Sequence, residues 1–377
     1  MAMISLAITQ NIAPLLFTTF SEAFGGKDGL SAAQMGYIPM MIYGVMMSTV
    51  LIAGPLADRF GAKPIPVLGL VSAIAGLLIM AAAQNFETIL FAAAIYGISA
   101  ISLDVVLSPI VAAISPENRS GALNRLHTWF CIGTLLIAAF IAVGMWLQIP
   151  WRILLLLICL IPLLNLIGFM SIPTLPLIHE DHVTVTLPQL LRFRSFPLLL
   201  LIMVLAGGTE ASMSQWLPTF AETQLGYTKA ISGFALACFS LAMTFGRYGV
   251  GGYIKSHNSI RVMQGMALGA AVLYIAAGVL PIPALALASA VVLGLFVGCM
   301  FPTGMAISGD ALPHGGATFY GLLAAAGCGG GIFSQWAIGE VAMRLSLTYA
   351  LAMSAFYAIG LIGCLVVYGR VISLRGN

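Results

Sequence analysis

Twelve apolar stretches follow one another along this chain, each close to the roughly 20 residues that a helix needs to cross a hydrocarbon layer about 30 Å thick. They fall near 3–24, 35–56, 64–83, 87–113, 121–147, 150–172, 196–220, 228–254, 260–280, 283–308, 317–343 and 347–369. Lipid offers no hydrogen bonds to a backbone, so only helices or closed barrels satisfy it, and runs this long read as helices. With 60% hydrophobic and 7% charged residues, there is too little polar surface to coat a soluble globule. The first span lacks the basic leading segment of a signal peptide and stays apolar too long, so it reads as a retained helix.

The few charges set the orientation. With the N-terminus in the cytoplasm, the inner loops carry Arg59, Lys63, Arg119, Arg125, Arg192, Arg194, Arg247, Lys255, Arg261, Arg370 and Arg375. The outer loops carry only Lys27, Arg152, Lys229 and Arg344. The basic excess belongs inside, which places both termini on the cytoplasmic side of a bacterial inner membrane. The longest polar connection, 173–195, then separates an N-terminal six-helix bundle (1–172) from a C-terminal one (196–377). A net charge of +3, dispersed along the chain, gives no footprint for nucleic acid. The partners expected are a small-molecule solute and the lipid bilayer, with the chain acting as a monomer.

The six cysteines stand singly in apolar stretches and read as small core residues, neither disulfides nor metal ligands. His179-Glu180-Asp181-His182 lacks regular ligand spacing and reads as a solvated linker. Asn118-Arg119-Ser120 fits a glycosylation sequon but falls on the inner side. Asp310 and His314 belong to a loop, and Glu340 is either a gate or an interface residue. No phosphate-binding loop of the G-x-x-x-x-G-K-[ST] type is present, so ATP is not the expected energy source. The protein reads as a transporter and not an enzyme. No cofactor is expected.

The halves resemble each other. The connection after the second span reads Gly54-Pro55-Leu56-Ala57-Asp58-Arg59-Phe60-Gly61-Ala62-Lys63, and a degenerate copy, Gly251-Gly252-Tyr253-Ile254-Lys255, with Gly246-Arg247-Tyr248 before it, follows the eighth. The offset, 251 − 54 = 197, is about half the chain. Internal duplication with a central linker is a common plan of secondary transporters, which hold their solute near the midplane between repeats. Gly-rich tracts such as Gly327-Cys328-Gly329-Gly330-Gly331 let helices approach closely.

The first connection resembles the G-x-L-A-D-R-x-G-x-K signature of the major facilitator superfamily, matched at Gly54, Leu56, Ala57, Asp58, Arg59, Gly61 and Lys63. The resemblance covers essentially the whole chain. It implies an all-α membrane protein of twelve transmembrane helices in two pseudo-symmetric six-helix bundles, with Gly54, Asp58, Arg59, Gly61, Lys63 and Arg247 forming a cytoplasmic gate. Within that superfamily, Gly121 to Gly133 is similar to the L-N-x-x-H-x-x-F-G-x-G pattern opening the fifth helix of the fucose and glucose/galactose proton symporters, and Phe301-Pro302-Thr303 is similar too. Cys131 stands where that branch has Gly, and the first helix reads Gln10-Asn11 where the branch has an acid. The resemblance implies proton-coupled uptake of a sugar or similar small polar solute.

Polar residues inside the spans are the ones lipid rejects unless they line a water-filled path or meet a partner, at roughly 3 kcal/mol for an acid on insertion scales. Asp104, between Ser102 and Ser108 in the fourth span, matches the acidic position of the family's fourth helix, which makes it the implied proton carrier. The alternative is a structural hydrogen bond. In the seventh span, Gly207, Glu210 and Ser214 share one helical face, so Glu210 is expected to line a cavity, bind solute or share a proton with Asp104. His127 either relays protons or is a satisfied interhelical histidine. Gln10, Asn11, Asn124, Thr303 and Gln335 are neutral groups able to orient a solute, and Trp129, Trp216 and Trp336 are candidate stacking platforms. Two rival functions stay open: a proton-driven exporter of drugs or metabolites, and a non-transporting receptor. The stretch Thr134 to Ala139 lacks the proline that exporters usually carry in the fifth helix, which favours the symporter.

Overall fold

A computed structural model describes residues 2–60, 63–104, 106–108, 111, 119–171, 187–255, 257–312 and 316–373. Every apolar run is helical. The elements are α1 (Ala2–Phe24), α2 (Ala32–Phe60), α3 (Pro64–Ala82), α4 (Phe86–Ser102), α5 (Arg119–Trp146) and α6 (Trp151–Ser171). A short helix, Leu187–Arg192, leads into α7 (Phe196–Thr223). Then come α8 (Lys229–Tyr253), α9 (Ser259–Val279), α10 (Pro283–Ala311), α11 (Gly316–Arg344) and α12 (Leu347–Val371).

Among the described residues eleven of these helices are long and apolar enough to span a membrane. The exception is α4, whose uninterrupted helix closes at Ser102; after a turn at Leu103 the described residues up to 111 are helical again, and the rest of the expected span to 113 lies outside the described residues. Both copies of the repeated motif are helical. The stretch from Gly54 through Phe60 closes α2, and Gly246–Tyr253 completes α8 as a π-helical turn, Gly246–Val250, and a final α-turn.

Local chemistry explains where the helices begin. Asn85, Thr228 and Ser346 sit at N-caps in extended backbone, and their side-chain oxygens accept from the N–H groups of Thr88, Ile231 and Tyr349, occupying donors that the first turn leaves free. A proline in the first turn starts α3, α7 and α10, where a missing N–H costs nothing. The loop before α8 turns at Gly226, whose φ of 75° suits a residue without a β-carbon.

The helices of the first half meet those of the second along four seams, α2 with α11, α5 with α8, α1 with α7 and α5 with α10. Within the second half, α7 and α11 lie close because glycines meet there. A β-carbon at Gly330 would collide with the Val204 carbonyl oxygen, and one at Gly207 with the Gly327 carbonyl oxygen. The Gly-rich tract therefore works as the sequence suggests, by letting backbones touch. Phe20, Trp216, Phe220, Tyr96 and Tyr274 fill the interior, while Phe91, Trp146, Leu164, Phe245 and Phe356 point outward. An apolar exterior of this kind is what lipid requires.

Candidate functional site

The helices of the two halves enclose a cavity of about 90 Å³ near mid-length. Its polar wall comes from Gln10 and Asn11 of α1, Tyr43 of α2, Asp104 just beyond α4, and His127 and Thr134 of α5. The second half supplies Glu210, Ser214 and Gln215 of α7 with Ser240 and Arg247 of α8. Gly207, Glu210 and Ser214 do share the face that helical spacing predicts, and that face lines the cavity.

Each half contributes one acid with one base. In the first half, Ser108 Oγ donates to Asp104 Oδ1 at 2.5 Å, one turn apart. His127 Nε2 lies 3.5 Å from the same carboxylate oxygen and 3.4 Å from Ser108 Oγ. Asp104 and His127 are buried, and the Phe301 ring stands edge-on against the imidazole. An acid, an imidazole and a hydroxyl thus meet in one buried cluster beside the cavity.

In the second half, Arg247 is 2% exposed and carries three hydrogen bonds. Nε donates to the Gly298 carbonyl at 2.6 Å, Nη1 to the His127 carbonyl at 2.8 Å and Nη2 to Glu210 Oε1 at 2.7 Å. The guanidinium also lies 5.5 Å from the centre of the Phe130 ring. Glu210 Oε2 is buried without a hydrogen-bond partner. The π-turn brings Arg247 here: one extra residue per turn widens α8 at 246–250, and Gly246 lets it press on the Leu295 backbone of α10. Through the His127 carbonyl, Arg247 also ties the second pair to the first across the two halves.

Arg247 is thus corrected from a cytoplasmic gate residue to a central one, because the π-turn keeps it inside the helical span. Asn124 is buried against Gly251 of α8, where a β-carbon would collide with it, and is not among the cavity-lining residues. Thr303 is fully buried outside the cavity wall. Gln335, also fully buried, accepts from the Trp216 indole N–H at 2.7 Å and donates to the Ala211 carbonyl at 3.2 Å, a packing role between α7 and α11. Trp129 and Trp336 are half-exposed on the outer surface, and Trp336 stacks on Phe333, so neither is a platform in the cavity. These corrections share a cause: a polar or aromatic residue inside a span is equally at home between helices or at the lipid surface, and spacing alone does not separate them.

Gln10 and Asn11 do reach the cavity. Gln10 Nε2 approaches the Met46 sulfur at 3.6 Å, and Asn11 Nδ2 donates to Thr134 Oγ1 at 3.1 Å. Tyr43, Gln215 and Ser240 complete the wall without having been singled out in the sequence; Gln215, beside Ser214, is the one whose polarity within an apolar span signalled it. Lys63 donates to the Met170 carbonyl at 3.0 Å, joining the α2–α3 connection to the end of α6. Gly54, Asp58 and Arg59 belong to the last turns of α2. Their side chains lie outside the described residues, as do Gly61 and the linker histidines.

Contacts between the halves flank the cavity toward both ends. At the end away from the termini, Thr18 Oγ1 donates to Glu222 Oε2 at 2.8 Å, Lys229 Nζ pairs with Glu22 at 2.5 Å, and Phe17 meets Trp216 edge-on. At the terminal end, Asn124 packs on Gly251 and α2 reaches Gly321 of α11 through Val50.

Comparison with known proteins agrees with this architecture. Solved structures of FucP align over 97% of this chain: one in the outward conformation at TM-score 0.71 and 18% identity, covering 97% of that chain, and a single-residue variant of the Escherichia coli fucose:proton symporter at 0.68 and 18%, covering 96%. The human organic anion transporter MFSD10 aligns over 97% of this chain and 96% of its own, at TM-score 0.72 and 17% identity. An uncharacterized MFS-type transporter of Mycobacterium tuberculosis is 25% identical over 122 residues, 32% of this chain and 29% of that protein's length. The sequence model of the Major Facilitator Superfamily matches residues 1–335. With eleven span-length apolar helices and a shorter twelfth among the described residues around a polar central cavity, and a family match over most of its length, the chain is a multi-pass membrane protein and belongs to the Major Facilitator Superfamily.

Proposed function

We propose that the protein couples uptake of a small polar solute, sugar-like in its hydroxyl groups, to entry of a proton by alternating access. The observation that carries this reading is the Asp104–His127 pair, 3.5 Å apart, in the wall of the same cavity as the neutral amides and hydroxyls of Gln10, Gln215, Ser214 and Ser240. Proton and solute then share one compartment, which is what coupling demands: each shifts the conformational equilibrium only through its different affinity for the two states. The cavity is well below the ~300–1,000 Å³ of ordinary small-molecule sites, so the solute enters only when the halves part at one end.

In this cycle, the Thr18–Glu222 and Lys229–Glu22 ties close the outer end, and the Gly54–Lys63 segment latches the cytoplasmic end. Asp104 loads its proton from outside and releases it inside, with His127 and Ser108 holding the carboxyl in place. FucP, whose fold this chain shares, is a fucose:proton symporter, which supports the reading. The test is uptake into proteoliposomes of a panel of sugars and sugar acids under an inward pH gradient. Wild type accumulates a member of the panel only with the gradient, and Asp104→Asn, checked for an unchanged unfolding temperature, does not. Full gradient dependence in Asp104→Asn would remove the proton role. Accumulation driven by the opposite gradient would make the protein an exporter.

A further inference from the structure

Resting on that transport reading, we infer that Arg247 is the receptor for a carboxylate on the solute, that Glu210 occupies it in the empty protein, and that the solute class is hydroxylated monocarboxylates such as sugar acids. The guanidinium is held by two anchors that do not involve Glu210, the Gly298 and His127 carbonyls at 2.6 and 2.8 Å. It therefore stays in place when the carboxylate lets go. A guanidinium has five N–H donors in a planar fork. Three are used by the bonds to Gly298, His127 and Glu210, which leaves 5 − 3 = 2 in a residue that lines the cavity.

Glu210 is bound on one side only. Oε1 accepts from Arg247 while Oε2 is buried with no partner, a position a purely structural ion pair fills with a second donor. A buried carboxylate oxygen with no donor is also where a proton settles once the compensating cation turns to another anion. The exchange balances: the solute's carboxylate bonds to Arg247 in place of Glu210, and Glu210 takes one proton to become the neutral acid. Solute and proton together add no net charge, so the loaded and empty sites carry the same charge. In the same cavity wall, Gln215 offers a buried side-chain oxygen without a partner, an acceptor for a solute hydroxyl.

The groups facing Glu210 are Tyr43 of α2, Cys131 of α5, Arg247 of α8, Tyr274 of α9 and Cys299 of α10. Thiols and phenols ordinarily titrate above pH 8, so none competes with Glu210 for a proton between pH 6 and 8. Within the cavity wall the other groups to separate from it are Asp104 and His127, which the Glu210 variant leaves intact.

The experiment is calorimetric titration of the full-length protein in detergent with glycerate, D-gluconate and D-glucuronate, and with glycerol and D-glucose as neutral controls, in two buffers of different ionisation enthalpy. The expected result is that at least one carboxylate binds, its neutral counterpart does not, one proton is taken up per solute, and affinity falls about tenfold per pH unit between pH 6 and 8. Glu210→Gln keeps the binding and loses the one proton taken up in the exchange, any proton on Asp104 being unaffected, while Arg247→Gln loses the binding. Equal binding of neutral and acidic members, no binding by any acid, or binding in the wild type without proton uptake overturns the inference. Gradient-driven flux of a neutral sugar would do so while sparing the transport reading. Carboxylate binding with no flux of any solute would instead overturn the transport reading.

Discussion

At the scale of the residue, the difference between a binding group and a packing group lies in what already occupies its hydrogen-bonding atoms. Gln335 is a polar side chain in a Gly-rich span, and in the fold both ends of its amide are taken by Trp216 and Ala211. Replacing it by Leu leaves the Trp216 indole N–H, in a residue with no exposure, without an acceptor. The cost expected for an orphaned buried donor is about 1–3 kcal/mol. Gln335→Leu should therefore lower the unfolding temperature in detergent by several degrees while leaving solute affinity unchanged. A loss of affinity at unaltered unfolding temperature would return Gln335 to the solute site.

At the scale of the element, the α7–α11 seam depends on glycines at which any side chain meets a backbone atom. Gly330→Ala places a methyl against the Val204 carbonyl, and overpacking of this kind costs about 1–3 kcal/mol. Gly363→Ala on α12 is the control, because nothing stands within 4 Å of the added carbon. The first variant should shift thermal unfolding downward and reduce the yield of monodisperse protein, and the second should do neither. Equal behaviour of the two would mean that α7 and α11 do not pack as described. The π-turn of α8 is the other element-level feature with consequences, since it lies where Arg247 turns into the protein.

For the whole molecule, transport requires contacts at one end to break while those at the other hold. Thr18 and Lys229 reach across the halves to Glu222 and Glu22, and of these the Thr18–Glu222 bond is the more enclosed. A hydrogen bond to a charged group contributes about 1.5–3 kcal/mol, enough to change the population of an end-open state by about tenfold or more. Glu222→Ala should accordingly speed the reaction of Cys328, a cavity-lining thiol, with a membrane-impermeant thiol reagent applied from that side. The exposed Cys238, mutated to Ser, is removed from the readout. An unchanged rate would show that this tie does not hold the end shut.

The sequence by itself determined the class of molecule: runs of apolar residues about 20 long leave the backbone no choice but helices in lipid, and the rare acids Asp104 and Glu210 inside them had to face a cavity or a partner. It also determined the cavity face of α7, because 3.6-residue periodicity fixes which residues of one helix share a side. Only the tertiary structure decided the partners. Arg247 meets Glu210 from a position 37 residues away in sequence, whereas Trp129 and Trp336 turn out to lipid and Gln335 and Thr303 turn into packing. Helical periodicity gives the sides of a helix but not which neighbour each side meets, and that is set by where glycines let helices touch and where a π-turn rotates one side chain inward.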